Sequence, residues 1–102
     1  MTLLEELEQY RPWNEQEARD RVELVRRLQS GEDLYTRDNG AGHLTASAWV
    51  VSPDRRRVLM AYHNIYDSWS WLGGHADGDR DLLAVAAREV REESGLTAKK
   101  AL

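Results

Sequence analysis

The 102-residue sequence contains no cysteine, only two prolines and no long uninterrupted apolar run. Without cysteine there is neither a disulfide framework nor a thiolate metal site. A membrane-spanning helix needs roughly 20 apolar residues in a row, which no segment approaches. The first residues, Met1-Thr-Leu-Leu-Glu-Glu, are acidic and have no basic region or long apolar run, so they are not read as a secretory signal. Basic residues number 14 against 18 acidic ones, a formal charge of −4. That balance opposes the basic stripe by which proteins hold duplex nucleic acid. Repeats and low-complexity tracts are missing as well. What remains is 41% hydrophobic and 31% charged, at a length suited to one compact domain. A soluble, cytoplasmic domain is expected, with no membrane or duplex nucleic-acid partner.

Two capping boxes open the chain, Thr2 with Glu5 and Asn14 with Glu17. A short helix should end near Tyr10, because Pro12 restricts Arg11. A second is expected from Glu15 to Ser30, with Gly31 as its stop and Ala18, Val22, Val25 and Leu28 as its apolar stripe. Residues 1–31 thus read as a helical hairpin that must pack on something else. Residues 31–42 are polar and hold Asn39-Gly40, a loop signature. The segments 44–51 and 57–62 read as a β-hairpin about a Ser52-Pro53-Asp54-Arg55 turn, and 68–72 as a third strand ending at Gly73-Gly74. Asp81 to Ser94 has no Pro or Gly and meets Gly95 at its end, so it should be helical.

Along that helix Glu89, Glu92 and Glu93 share a sector of about 100°. Ala86, Val90, Leu83 and Ala87 fall beside it as the expected buried face. Like charges at these spacings repel by a few tenths of a kcal/mol per pair, and a face kept only for solubility would mix signs. Clustered carboxylates suit hard divalent cations, which take oxygen ligands. The three glutamates alone describe a solvated acidic face at least as well.

The surrounding pattern decides between the two. Gly74-His-Ala-Asp-Gly-Asp-Arg80, seven residues, then Arg88-Glu89-Val90-Arg91-Glu92-Glu93-Ser94-Gly95-Leu96 resembles the Nudix box, G-x5-E-x7-R-E-U-x-E-E-x-G-U with U aliphatic. Eight of nine specified positions match over 23 residues at the required spacing. The upstream hairpin and Trp71-Leu72-Gly73-Gly74 are similar to the same family.

The resemblance implies an α+β fold, an α/β/α sandwich with a Nudix-like mixed sheet over residues 32–102, preceded by the hairpin 1–31. It implies a hydrolase that cleaves a small-molecule (nucleoside) diphosphate linked to another moiety, with Mg²⁺ or Mn²⁺. Glu92 and Glu93 would be the principal metal ligands, and Glu89 a further ligand or the general base. Arg88 would orient Glu89, and the Gly73 carbonyl would complete the ligand set.

Two departures stand out. Arg80 replaces the first box glutamate, a charge reversal for which Asp79 or Asp81 could partly substitute. The box is followed by few residues, so the sheet is expected to be incomplete at the C-terminus, as in a fragment, or completed by a second copy of the chain in a homodimer. These departures motivate the alternatives of a non-catalytic nucleotide-binding or regulatory module and an inactive fragment. An isoprenoid diphosphate isomerase, a related group, commonly needs a cysteine that this chain lacks.

Weaker signals are read conservatively. Tyr62, Tyr66, Trp69 and Trp71 are expected to pack in the core or hairpin rather than stack on a base. His43, His63 and His75 show no ligand spacing, and Arg55-Arg56-Arg57 reads as a solvated hairpin tip.

Overall fold

The computed structural model describes residues 1–99. Two helices lead the chain, α1 at Leu3–Gln9 and α2 at Glu15–Gln29. The first capping box is complete, with Thr2 and Glu5 bonded reciprocally. The second is altered: Asn14 caps the Glu17 amide, but the Glu17 carboxylate accepts from Trp13 N–H and the Tyr10 hydroxyl. Gly31 follows the Ser30 cap with φ of 88°, a left-handed turn that releases the chain. Of the expected stripe on α2, Val22 is exposed, while Ala18, Val25 and Leu28 are half-buried.

Six short strands follow: β1 Thr45–Ala48, β2 Val50–Val51, β3 Val58–Leu59, β4 Ala61–His63, β5 Ser68–Ser70 and β6 Leu72–His75. They form three antiparallel ladders, β1 with β6, β2 with β3, and β4 with β5. Helix α3, Leu82–Ser94, packs over β1 and β6. The chain is α+β, and every strand pairing among the described residues is antiparallel.

Each long strand expected from the sequence is divided where it changes partner. Segment 44–51 leaves β6 for β3 at Trp49, and segment 57–62 leaves β2 for β5 at Met60. The third strand likewise breaks at Trp71. It does not end at the glycines, which continue in β6 opposite β1. Here the glycine pair marks close approach rather than a stop. A Cβ on Gly73 would meet Ala46 O and Ser47, and one on Gly74 would meet the Glu89 carboxylate.

The core is small: Leu34, Tyr35, Leu72, Ala76, Val85 and Val90. Leu3, Leu44, Ala46 and Leu82 pack against its Tyr35–Ala76–Val85 centre, so α1 contributes to it. The buried face of α3 is the expected one only in part, at Val90 and, half-buried, Ala86. Val85 and Val90 are buried, with Glu89 half-buried between them, while Leu83 is 66% exposed and Ala87 is exposed too. The missing side chain at Gly74 leaves room for the Glu89 carboxylate beside that face. The four aromatics of the hairpin are also exposed rather than core. Tyr62 and Trp69 pair across β4–β5 edge to face, with ring centroids 5.5 Å apart.

The polar segment 31–42 is a loop, yet it carries two core residues. Leu34 O accepts from Leu44 N–H at 2.7 Å, and Tyr35 O from Gly78 N–H at 2.5 Å. Arg37 closes the clasp with two bonds to Asp77, at 2.9 and 2.8 Å. That guanidinium holds the Asp77 carboxyl below the usual carboxylate range.

Candidate functional site

The register of β1 and β6 builds the site. Ala76 N–H donates to Leu44 O, so the hydrogen-bonded pairs of this ladder fall at even positions of β6. In antiparallel pairing, the N–H and C=O of one residue point to the same side. Gly73 and His75 therefore turn their backbone groups to the outer edge of β6, away from β1.

Helix α3 meets that edge. Gly73 N–H donates to Glu93 Oε1 at 3.1 Å, and Arg88 Nη2 donates to His75 O at 3.5 Å. The Gly73 carbonyl lies along the same edge, on the side of Glu93. Gly74, facing the helix, leaves room for the Glu89 carboxylate, which a Cβ would approach to 2.6–2.9 Å. Two adjacent glycines thus do different work. One offers its backbone to the helix and the other offers the absence of a side chain.

Arg88 sits at the centre of the charges. Its guanidinium is 3.6 Å from Glu89 Oε1, 3.9 Å from Glu92 Oε1 and 3.9 Å from Asp79 Oδ2. The Glu89 side chain is 18% exposed, whereas Glu92 is 58% exposed and open to an incoming group. Arg88 pairs with Glu92 one turn on and also lies against Glu89. A half-buried carboxylate beside a fixed cation is positioned for proton transfer, and an exposed one for contact with a ligand.

The structure brings Glu89, Glu93, Gly73 and Arg88 to one strand edge, with Glu92 on its open side. Carboxylate and carbonyl oxygens are the donors that Mg²⁺ and Mn²⁺ take, so the set fits such an ion in kind. Among the described residues, no three acidic or histidine side chains converge as a metal cluster. Arg88 stands between Glu89 and Glu92 as an internal counter-charge.

Arg80 lies apart from this group. Its guanidinium covers the Tyr35 ring at 4.8 Å, a cation–π contact that gives the reversed charge a place outside the carboxylates. Asp81 caps α3 by accepting from Ala84 N–H at 3.0 Å. Asp79 supplies the acidic contact to Arg88 and also accepts from Asp81 N–H at 2.9 Å. Of the two substitutes considered from sequence, one is thus a helix cap and the other an Arg88 partner.

The sequence does not encode a pairing of two distant histidines. His43 Nε2 and His75 Nδ1 approach to 3.2 Å, with ring centroids 5.1 Å apart. Only the strand register, which sets Thr45 opposite His75, brings these distant positions together. Arg55, Arg56 and Arg57 are exposed at their hairpin tip.

A model of the NUDIX domain matches residues 42–102. The chain is 41% identical over 54 residues to CMP-5'-(N-acetyl-N-hydroxy-3-aminopropyl)phosphonate hydrolase of Streptomyces rubellomurinus, covering 49% of this chain and 26% of that protein. It is 42% identical over 48 residues to Nudix hydrolase 27, chloroplastic, of Arabidopsis thaliana, covering 47% of this chain and 21% of that protein. The matched stretches thus span about a quarter of these relatives' length.

Proposed function

Since this chain belongs to the NUDIX domain family, we propose that it takes part in metal-dependent hydrolysis of a diphosphate bond in a small, nucleoside-type substrate. The observation that carries this reading is the meeting of Glu89, Glu93 and Arg88 with the free edge of β6 at Gly73 and His75. Two relatives that match it are named as hydrolases, one of them of a CMP-linked phosphonate.

In this reading Glu92, Glu93 and the Gly73 carbonyl hold the divalent ion, with Glu89 as a further ligand or as the base. A bound Mg²⁺ or Mn²⁺ would neutralise phosphate oxygens and acidify a coordinated water. As the base, Glu89 would accept the proton of the water that attacks phosphorus. Arg88 keeps the Glu89 carboxylate oriented, and Asp79 holds Arg88 from its far side. For an ion to enter between Glu89 and Glu92, the Arg88–Glu92 contact must open, which its 3.9 Å length and exposure permit. The hairpin 1–31 and the segment 32–102 are assigned as two organisational parts, with a second copy of the chain as a candidate to pair with free strand edges. A cytoplasmic setting belongs to the same reading.

The test is release of the nucleoside monophosphate from a panel of nucleoside diphosphate derivatives, with and without Mg²⁺ or Mn²⁺. Turnover should require the metal, and Glu92→Gln should lower it at least about a hundredfold. Metal-independent turnover, or an unaffected variant, would defeat the reading. A nucleotide-binding module without turnover is the second reading. It is favoured by the charge reversal at Arg80, and by acidic side chains that are partnered by Arg88 and Gly73 rather than converged. Calorimetric nucleotide binding with no hydrolysis across the panel would select it.

A further inference from the structure

The two histidines that meet beside the β1–β6 ladder lie on the side that the carboxylates do not use. Ala46 packs into the core and Gly74 faces Glu89, so the alternate positions Thr45, Ser47, Gly73 and His75 face the other way. His75 thus follows Gly74 on the strand but presents its ring on the opposite face. Its partner comes from just before β1. His43 and His75 stand 32 positions apart in the chain, and both are half-buried.

His43 Nδ1 lies 3.3 Å from Asn39 O. A carbonyl only accepts, so a neutral His43 ring carries its proton on Nδ1 and leaves Nε2 with a bare lone pair. Backbone carbonyls orient metal-binding histidines in this way, through the ring nitrogen that is not the ligand. The bare Nε2 comes within 3.2 Å of His75 Nδ1. Two nitrogens bound to one tetrahedral ion at about 2.0–2.1 Å stand about 3.3–3.4 Å apart, so the pair is already at chelating distance. The rings are tilted by 35°, with centroids 5.1 Å apart, and meet through nitrogens rather than through stacked faces. Asp77 is taken by Arg37 through two hydrogen bonds. Among the described residues no third acidic or histidine side chain joins the pair, so water would complete the shell. Imidazole nitrogens suit Zn²⁺, Ni²⁺ and Cu²⁺, whereas Mg²⁺ and Mn²⁺ prefer the oxygens on the other face.

We propose that His43 and His75 form a separate site for an imidazole-binding divalent ion of the Zn²⁺ class, on the face of the ladder opposite Glu89. Two imidazoles and water hold such an ion reversibly. Bound there, it ties the loop 31–42, through Asn39 O and His43, to β6, where His75 O accepts from Arg88. The site needs no turnover, and it stands whether or not the carboxylates hydrolyse a diphosphate.

The experiment titrates the 102-residue chain with Zn²⁺ by calorimetry and with Cu²⁺ by electron paramagnetic resonance. Cu²⁺ is the spectroscopic probe because nitrogen sites bind it most tightly among the first-row divalent ions. At equimolar Cu²⁺ the spectrum should show nitrogen splitting from two imidazoles. Zn²⁺ should bind and raise the thermal midpoint. His43→Ala should weaken Zn²⁺ at least about tenfold and abolish that rise, whereas His63→Ala, on β4, should change neither. Glu92→Gln combined with Glu93→Gln should leave the Zn²⁺ affinity unaltered. A parent spectrum with oxygen ligands alone, or with a single nitrogen, would overturn the proposal without recourse to any variant. So would an unchanged Zn²⁺ affinity in His43→Ala, or its loss in the glutamate variant, which would move the ion to the carboxylates. Failure of Zn²⁺ to bind the parent would overturn it as well.

Discussion

At Gly74 a single missing methyl group decides where a charge can sit. The Glu89 carboxylate occupies the space a side chain would fill, so Gly74→Ala forces either the helix or the carboxylate to move. Overpacking of this kind costs about 1–3 kcal/mol, and here the loss should appear in activity as well as stability. Urea unfolding should show a lowered midpoint. In the active protein, kcat should fall at least about tenfold because Glu89 has left Arg88. A variant that is less stable but keeps its kcat would give Gly74 a packing role only. Asp79 offers a complementary case. Asp79→Asn keeps the bond from Asp81 N–H but removes the charge facing Arg88. Its effect should fall on kcat rather than KM, and Asp79→Glu should restore part of it.

Much of this site was legible at the level of residue spacing. Arg88, Glu89, Glu92 and Glu93 stand in a pattern that the backbone turns into one sector of α3. Their placement near Gly73 is what the family resemblance implies, not what the glycine pair itself reads as. What could not be read was pairing across distance. His43 with His75, Asp79 with Arg88, and Arg80 with Tyr35 depend on strand register and on the clasp of the loop 31–42. No local periodicity encodes these. The apolar face of α3 is only partly legible for a related reason. Hydrophobicity placed Leu83 inside and Glu89 at the flank, but the glycine opposite accepts a carboxylate more readily than the helical wheel implies.

Among the elements, α3 has clear ends. Asp81 caps its first turn, and Gly95 leaves it in a left-handed conformation with its N–H on Arg91 O. Asp81→Ala should therefore cost about 1 kcal/mol, seen as a lower thermal midpoint and faster amide exchange in residues 82–85. An unchanged exchange pattern would mean that tertiary packing alone holds the turn. The exit of α2 is tied by charge instead. Arg27 donates to Glu32 at 2.8 Å and to Gly42 O at 3.1 Å, and Ser30 and Asn39 add bonds to the same carboxylate. These partners, Arg27 first, lower the Glu32 pKa from 4.5 to about 2. A depressed carboxyl stabilises the fold above its unfolded value and loses that contribution as pH falls through the folded one. The loss from Glu32 should thus occur between pH 4.5 and about 2. Denaturant midpoints followed across that window should fall less steeply in Glu32→Gln than in the parent. Parallel curves would remove Glu32 from the acid response.

For the whole molecule, the open question is whether residues 1–31 stand apart from the rest. The core is thin, and one of its supports comes from the first helix, where Leu3 packs against Tyr35, Ala76 and Val85. The second helix adds its own tether through Arg27, which reaches Gly42 just before β1. A hairpin joined at both ends should not unfold alone, even though the family match begins only at residue 42. Leu3→Ala removes a half-buried side chain and should cost about 1–2 kcal/mol, below the full price of a core leucine. The informative measurement is native-state hydrogen exchange, residue by residue. If the chain is one cooperative unit, the slowest amides of α2 and α3 should lose protection by the same amount. If only amides before residue 31 speed up, the hairpin is a separate folding unit that merely rests on the site-bearing part. Equal losses would instead mean that the edge of β6, where Glu93 and Arg88 are held, depends on a helix some seventy residues earlier in the chain.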